Sequence, residues 1–309
     1  MRHWLPTILL LCLLMGLSHT ELTPLTDFVA KSQEAIDSVW KKPITLKIVL
    51  MRHGQSEQNR QRDLLVEKLG SRKAAVKYQI RETDSTNLVD AMLTPKGVEQ
   101  AKESGEKLSK MYPNIKYVFV SPARRAVETA MTALKYYTPN PSPKVILNPW
   151  MRERMETVAD APLLSYEFLA KYPSIDRSIL AGSPNLWFAD YFLDSPKTST
   201  KPLVKQAISS PDYTKKIMEL LVDQDEKLER PSQIALRLNA SLNLVKKFVR
   251  EQARKGVEIK DDEILLVGHG FLFCHLLGYE EILNDDTYGR LIGGDFHNGE
   301  FKHFDLIGI

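Results

Sequence analysis

Two histidines stand at the ends of short apolar runs. His53, in Arg52-His53-Gly54, follows Thr45 to Met51, and His269, in Gly268-His269-Gly270, follows Glu263 to Val267. Such β-branched runs read as strands buried on both faces, and two strand ends can bring two histidines together over one sheet. A third component is Ser121-Pro122-Ala123-Arg124-Arg125, which sets arginines in the first turn of a predicted helix. A helix start attracts anions through its free N–H groups and its dipole. Imidazoles beside guanidinium groups therefore suit an anion held next to a group that can exchange a proton or act as a nucleophile. Taken singly, His269 fits a satisfied core histidine and Arg125 a surface residue; it is the combination with His53 that argues for chemistry.

The elements that must position these residues follow from the hydrophobic pattern. Thr45 to Met51, Lys116 to Val120, Lys144 to Leu147 and Glu263 to Val267 are four candidate strands, with a final one from Phe301 to Ile307 after a turn at His297-Asn298-Gly299. A helix is predicted from Thr94-Pro95, with threonine as N-cap and Val98, Ala101, Leu108 and Met111 on one face. A second opens the same way at Ser121-Pro122, with a stripe of Ala123, Ala126, Ala130, Leu134 and Tyr137. A third pattern, Pro231 to Lys255, buries Leu238, Leu242, Val245 and Val249 and turns Asn239 to solvent. Strands alternating with helices argue an α/β fold with a largely parallel sheet, whose active site lies beyond the carboxyl ends of the strands. Arg60 to Ala91 and Thr157 to Glu229 break the rhythm and are expected as insertions over the sheet edge.

Four motifs run in the same order as in one known family. Arg52-His53-Gly54-Gln55-Ser56-x-x-Asn59, then Asp90-Ala91-Met92-Leu93-Thr94-Pro95-Lys96-Gly97-x-x-Gln100-Ala101, then Ser121 to Thr129, then Val267-Gly268-His269-Gly270 resemble the signatures of the histidine phosphatase superfamily on its phosphoglycerate mutase-like branch (branch 1). The resemblance implies a three-layer α/β/α sandwich with a mostly parallel central sheet and a helical or loop insertion over the active site. It implies His53 as the nucleophile that takes the phosphoryl group, with Arg52, Arg125 and His269 on its oxygens, Gly270 allowing close approach, and Asn59 adding a hydrogen bond. Arg124 falls on a variable position and is read as surface. The family's proton donor matches Glu153 in Met151-Arg152-Glu153, with Glu156 as the fallback.

The physical account agrees. A phosphomonoester dianion repels nucleophiles, so its site needs fixed positive charge and an in-line attacking group. Nearby arginines keep His53 neutral, and a carboxyl of raised pKa can protonate the leaving alkoxide. The scheme calls for no metal and no cofactor. The expected activity is phosphomonoester hydrolysis on a small phosphorylated substrate. Because Glu153 is followed by Arg154-Met155-Glu156 rather than the mutases' Arg-His-Tyr-Gly type of stretch, phosphoryl relocation is the alternative; a non-catalytic phospho-ligand-binding or scaffold protein of the same fold is the other.

The 309 residues carry a formal charge of only +3, which gives no reason to expect nucleic acid as a partner. Two cysteines, Cys12 and Cys274, exclude a disulfide framework; Cys274 is read as a core residue. Arg2 and the apolar run from Leu5 to Leu17 resemble a secretory signal, so 1–20 are expected as signal peptide and 21–309 as a single domain. A run this short favours a cleaved signal and no stable membrane span, with a signal anchor as the alternative. A secretory, lumenal or vacuolar location follows, and Asn239-Ala240-Ser241 becomes a candidate glycosylation site. Oligomeric state has no signature in the sequence.

Overall fold

The apolar runs form strands, and the amphipathic stretches between them form helices. In the computed structural model, which describes residues 45–81, 88–154, 160, 168, 170–180, 231–277, 280–282, 290–292 and 296–307, the order is β1 (Leu46–Arg52), α1 (Glu57–Leu69), α2 (Arg72–Arg81), α3 (Pro95–Met111), β2 (Tyr117–Val120), α4 (Arg124–Tyr136), β3 (Lys144–Leu147), α5 (Pro231–Arg254), β4 (Ile264–Gly268), α6 (Gly270–Leu276), β5 (Glu280–Ile282), β6 (Arg290–Ile292) and β7 (Phe301–Leu306). Leu46–Leu306 form one compact unit.

Five strands make the central sheet in the order β3-β2-β4-β1-β7, parallel except for β7, which runs antiparallel along β1. The α/β class with a mostly parallel sheet is therefore as expected. Register decides where the site lies: Arg52 pairs with Gly268, and Val120 with Val267. The chain leaves β1, β2 and β4 at one level, so His53, Ser121 and His269 start from the same rim.

Both faces of the sheet are covered. On one, Val49, Met51, Val118, Val120, Leu147, Leu265 and Val267 pack with Leu108 of α3 and Ala126, Val127, Ala130 and Ala133 of α4. On the other, Tyr117 and Phe119 meet Phe248 of α5 edge-on, with ring centroids 4.8 and 5.4 Å apart.

Two local expectations are corrected. The buried face of α3 is Gly97, Ala101, Ser104, Gly105 and Leu108, while Val98 and Met111 are exposed. Small residues win because α3 lies directly against α4: a Cβ on Gly105 would run into the Ala133 carbonyl oxygen. The second predicted helix starts at Arg124 rather than Pro122, because the Ser121 side chain is drawn toward His269; the Asp90 carboxylate instead accepts the Arg124 N–H at 2.7 Å. Much of the Arg60 to Ala91 insertion is helical, in α1 and α2, with α1 begun by a capping box between Ser56 and Asn59. The short β5–β6 pair had no sequence signal. Of the Thr157 to Glu229 insertion, 157–159, 161–167, 169 and 181–229 lie outside the described residues.

Candidate active site

His53 and Gly54 are held by three hydrogen bonds from their backbone. The His53 N–H donates to the Gly268 carbonyl at 2.9 Å, its carbonyl accepts from Asn298 Nδ2 at 2.8 Å, and Gly54 N–H donates to Thr129 Oγ1 at 3.0 Å. The loop then runs so close to the start of α3 that a Cβ on Gly54 would meet the Gly97 carbonyl, and a Cβ on Gly97 the Gln55 carbonyl. Two glycines face each other because only bare backbone fits.

The imidazole is 2% exposed. Its Nδ1 lies 2.7 Å from the Gly54 carbonyl oxygen, an acceptor only, so Nδ1 carries the proton. Nε2 keeps its lone pair and accepts from Arg125 Nε at 3.3 Å. Burial first, then the Arg125 and Arg52 cations, hold the ring well below its usual pKa. This is the protonation state that nucleophilic attack through Nε2 requires.

Three cationic or polar side chains surround it. Arg125, in the first turn of α4, is 2% exposed. The His269 ring stands 4.9 Å from that of His53, centroid to centroid, in a T-shaped arrangement. Ser121 Oγ accepts the Ala123 N–H at 3.3 Å and stands 2.7 Å from His269 Nε2. Burial and then Arg125 push the pKa of the His269 ring well down and keep it neutral, and with the Ser121 hydroxyl donating to Nε2 the ring proton is on Nδ1. Arg52 packs on Gly270, where a Cβ would sit 3.1 Å from Nε, and its Nη1 donates to the Phe296 carbonyl. Arg52 Nε, Arg125 Nη1 and His269 Nδ1 are buried polar atoms without a partner. Buried polar atoms left unpaired demand an explanation, and an oxyanion beside His53 supplies one.

The chain after β3 turns through Pro149–Met151 and delivers Glu153, which is 9% exposed. Its Oε1 accepts the Arg154 N–H at 2.9 Å. Burial raises its pKa and the Asp160 carboxylate adds to this, partly offset by Arg125 and Arg52. Arg237 of α5 fixes the turn, donating through Nη1 to the carbonyls of Trp150 and Arg152 at 2.7 and 2.6 Å.

The structure thus gathers His53, Arg52, Arg125, His269, Gly270 and Glu153. Asn59 sits beside them, but its carboxamide oxygen is engaged by Ser56 N–H and Oγ–H, both at 3.1 Å. Arg124 points to Glu128, 2.8 Å away. Asn239 is exposed on α5, where its side-chain oxygen accepts from Asn243 Nδ2 at 3.4 Å. Glu156 and residues 1–44 lie outside the described residues. Sequence reasoning missed Ser121 as a partner of His269, and also Asn298, Thr129, Gln58 and Asp160. Ser121 and Thr129 lay inside a quoted motif and Asn298 inside a predicted turn, whereas Asp160 fell in a stretch read only as an insertion. Among the described residues no group of His, Cys, Asp and Glu has a metal-holding arrangement, and no helix is long and apolar enough to cross a membrane.

Residues 48–156 match the family model of the histidine phosphatase superfamily (branch 1). This region belongs to that superfamily. The match ends before His269, which reaches the same rim through β4. Solved structures similar to this chain include a mycobacterial glucosyl-3-phosphoglycerate phosphatase (18% identity, 85% of this chain and 91% of that one, TM-score 0.41). Others are the ecdysone phosphate phosphatase from Bombix mori in complex with tungstate (18%, 80% and 87%, TM-score 0.43) and a phosphoglycerate mutase from Bacillus anthracis (16%, 81% and 87%, TM-score 0.36). No curated protein matches the chain.

Proposed function

We propose that the protein is a phosphomonoester hydrolase working through a phosphohistidine on His53. The observation that carries this reading is the set of three buried, unpartnered polar atoms, Arg52 Nε, Arg125 Nη1 and His269 Nδ1, around an imidazole whose Nε2 carries no proton. The donors would take the phosphoryl oxygens as charge shifts onto them. His53 Nε2 forms the new bond to phosphorus as the ester P–O bond breaks, and Glu153, in its acid form, gives its proton to the departing alkoxide. The resulting carboxylate then removes a proton from water, which attacks phosphorus and returns His53 with release of phosphate.

The cellular side of the reading is that 1–20 are removed in the secretory pathway and that Asn239 carries a glycan. The exposure of Asn239 on α5 and the amino-terminal hydrophobic pattern support it.

Incubating the full chain with p-nitrophenyl phosphate and with glycerol 2-phosphate between about pH 5 and 7.5 tests the proposal. Phosphate release and an acid-labile phosphoenzyme are expected, and both should vanish in His53→Ala. No release from either ester, or relocation of the phosphoryl group on phosphoglycerate in place of release, would count against hydrolysis.

A further inference from the structure

Asp160 lies in the cationic pocket, where an acid works against anion binding, so its presence needs a reason. It is 4% exposed, its Oδ1 accepts from Gln58 Nε2 at 2.7 Å, and the same oxygen lies 3.6 Å from Arg125 Nη2. Arg125 is thereby held on two edges, Nε against His53 and Nη2 against Asp160, and only Nη1 is left without a partner. A planar guanidinium fixed on two edges has a single orientation for the third.

We propose that Asp160, tethered by Gln58 of α1, is a positioning residue that fixes the Arg125 fork so that its Nη1 edge faces the phosphoryl group in transfer. The inference rests on the hydrolase reading and adds to it a residue that acts through Arg125. Asp160 also bears on Glu153, whose charged neighbours are Asp160, Arg125 and Arg52. With Asp160 neutralised, Glu153 loses an acidic neighbour and keeps its two cationic ones. Its proton then leaves at lower pH.

A group that orients rather than binds has a distinctive signature. Removing its charge slows turnover while sparing ground-state anion binding, because the repulsion of the anion disappears with it. The test uses the full chain, Asp160→Asn and Gln58→Leu, with glycerol 2-phosphate as substrate and inorganic phosphate as the calorimetric probe. In Asp160→Asn, kcat should fall about 10- to 100-fold, as small misplacements of catalytic groups do. The alkaline limb of kcat/KM should move to lower pH, and phosphate should bind as tightly as before or more tightly. Gln58→Leu should lower kcat less and leave the limb in place. An unchanged kcat in Asp160→Asn overturns the proposal, as does joint loss of kcat and phosphate binding with an unmoved limb, which is what collapse of the site would give. If the unaltered protein binds phosphate but hydrolyses neither ester, the hydrolase reading falls by itself. The fork is then judged by binding alone, weaker phosphate binding in Asp160→Asn overturning it and equal or tighter binding supporting it.

Discussion

Burying two neutral histidines beside arginines makes the fold sensitive to mild acid, by an amount that can be worked out. His53 and His269 are 2% and 0% exposed and both are held well below 6.5. Unfolded, each ring has its ordinary value of about 6.5 and goes from roughly one-tenth to nine-tenths protonated between pH 7.5 and 5.5. The folded rings stay neutral, so in that window the unfolded state binds more protons and stability falls as pH falls. Integrated over the interval the loss is about 1.4 kcal/mol per ring, about 2.7 kcal/mol for the pair. Glu153, with its raised pKa, acts in the opposite direction and is present in every protein compared. Urea unfolding of the unaltered chain and of His53→Gln at the two pH values measures the effect. The variant should lose about 1.4 kcal/mol less than the parent across the interval. Equal losses would mean that the folded His53 ring is protonated, and the neutral nucleophile would have to be abandoned.

Two further outcomes follow from the same geometry. Gly97→Ala places a methyl group against the Gln55 carbonyl and should destabilise the fold by about 1–3 kcal/mol, read as a lower urea midpoint. Glu153→Gln should lower kcat on glycerol 2-phosphate by about 10²- to 10⁴-fold yet affect p-nitrophenyl phosphate much less, since nitrophenolate leaves without a proton. Equal losses on the two esters would remove Glu153 as the acid.

Strands β1 to β4 were legible because each is a contiguous apolar run, and the ends of β1, β2 and β4 adjoin His53, Ser121 and His269. His53, Arg125 and His269 could be paired in advance because their surroundings announce strand ends and a helix start. The errors have a common cause. Val98 was assigned to the buried face of α3 on hydrophobicity, but close helix packing against α4 selects glycine, alanine and serine instead. Ser121 was read as a cap because serine before proline is a cap signal, and the competing partner, His269, lies 148 residues away. Asp160 gave no signal at all. Its role depends on Gln58 and Arg125, 102 residues away and across the pocket respectively, and no local pattern encodes such a meeting.

The position of β1 in the sheet bears on how the protein is made. The strand that carries Arg52 and His53 is among the first described segments to leave the ribosome, yet its two neighbours, β4 and β7, come more than 200 residues later. Until then Leu46 to Met51 is an apolar strand with no edge to pair with, the kind of segment that invites aggregation and chaperone binding. Pairings this distant in sequence also form slowly. Because the His53 N–H donates to the Gly268 carbonyl of β4 and its carbonyl accepts from Asn298, the His53 loop is set only when β4 and Asn298 have docked. The arrangement around His53 should therefore be completed in a single late step of folding, with no partly assembled chain holding it in the meantime.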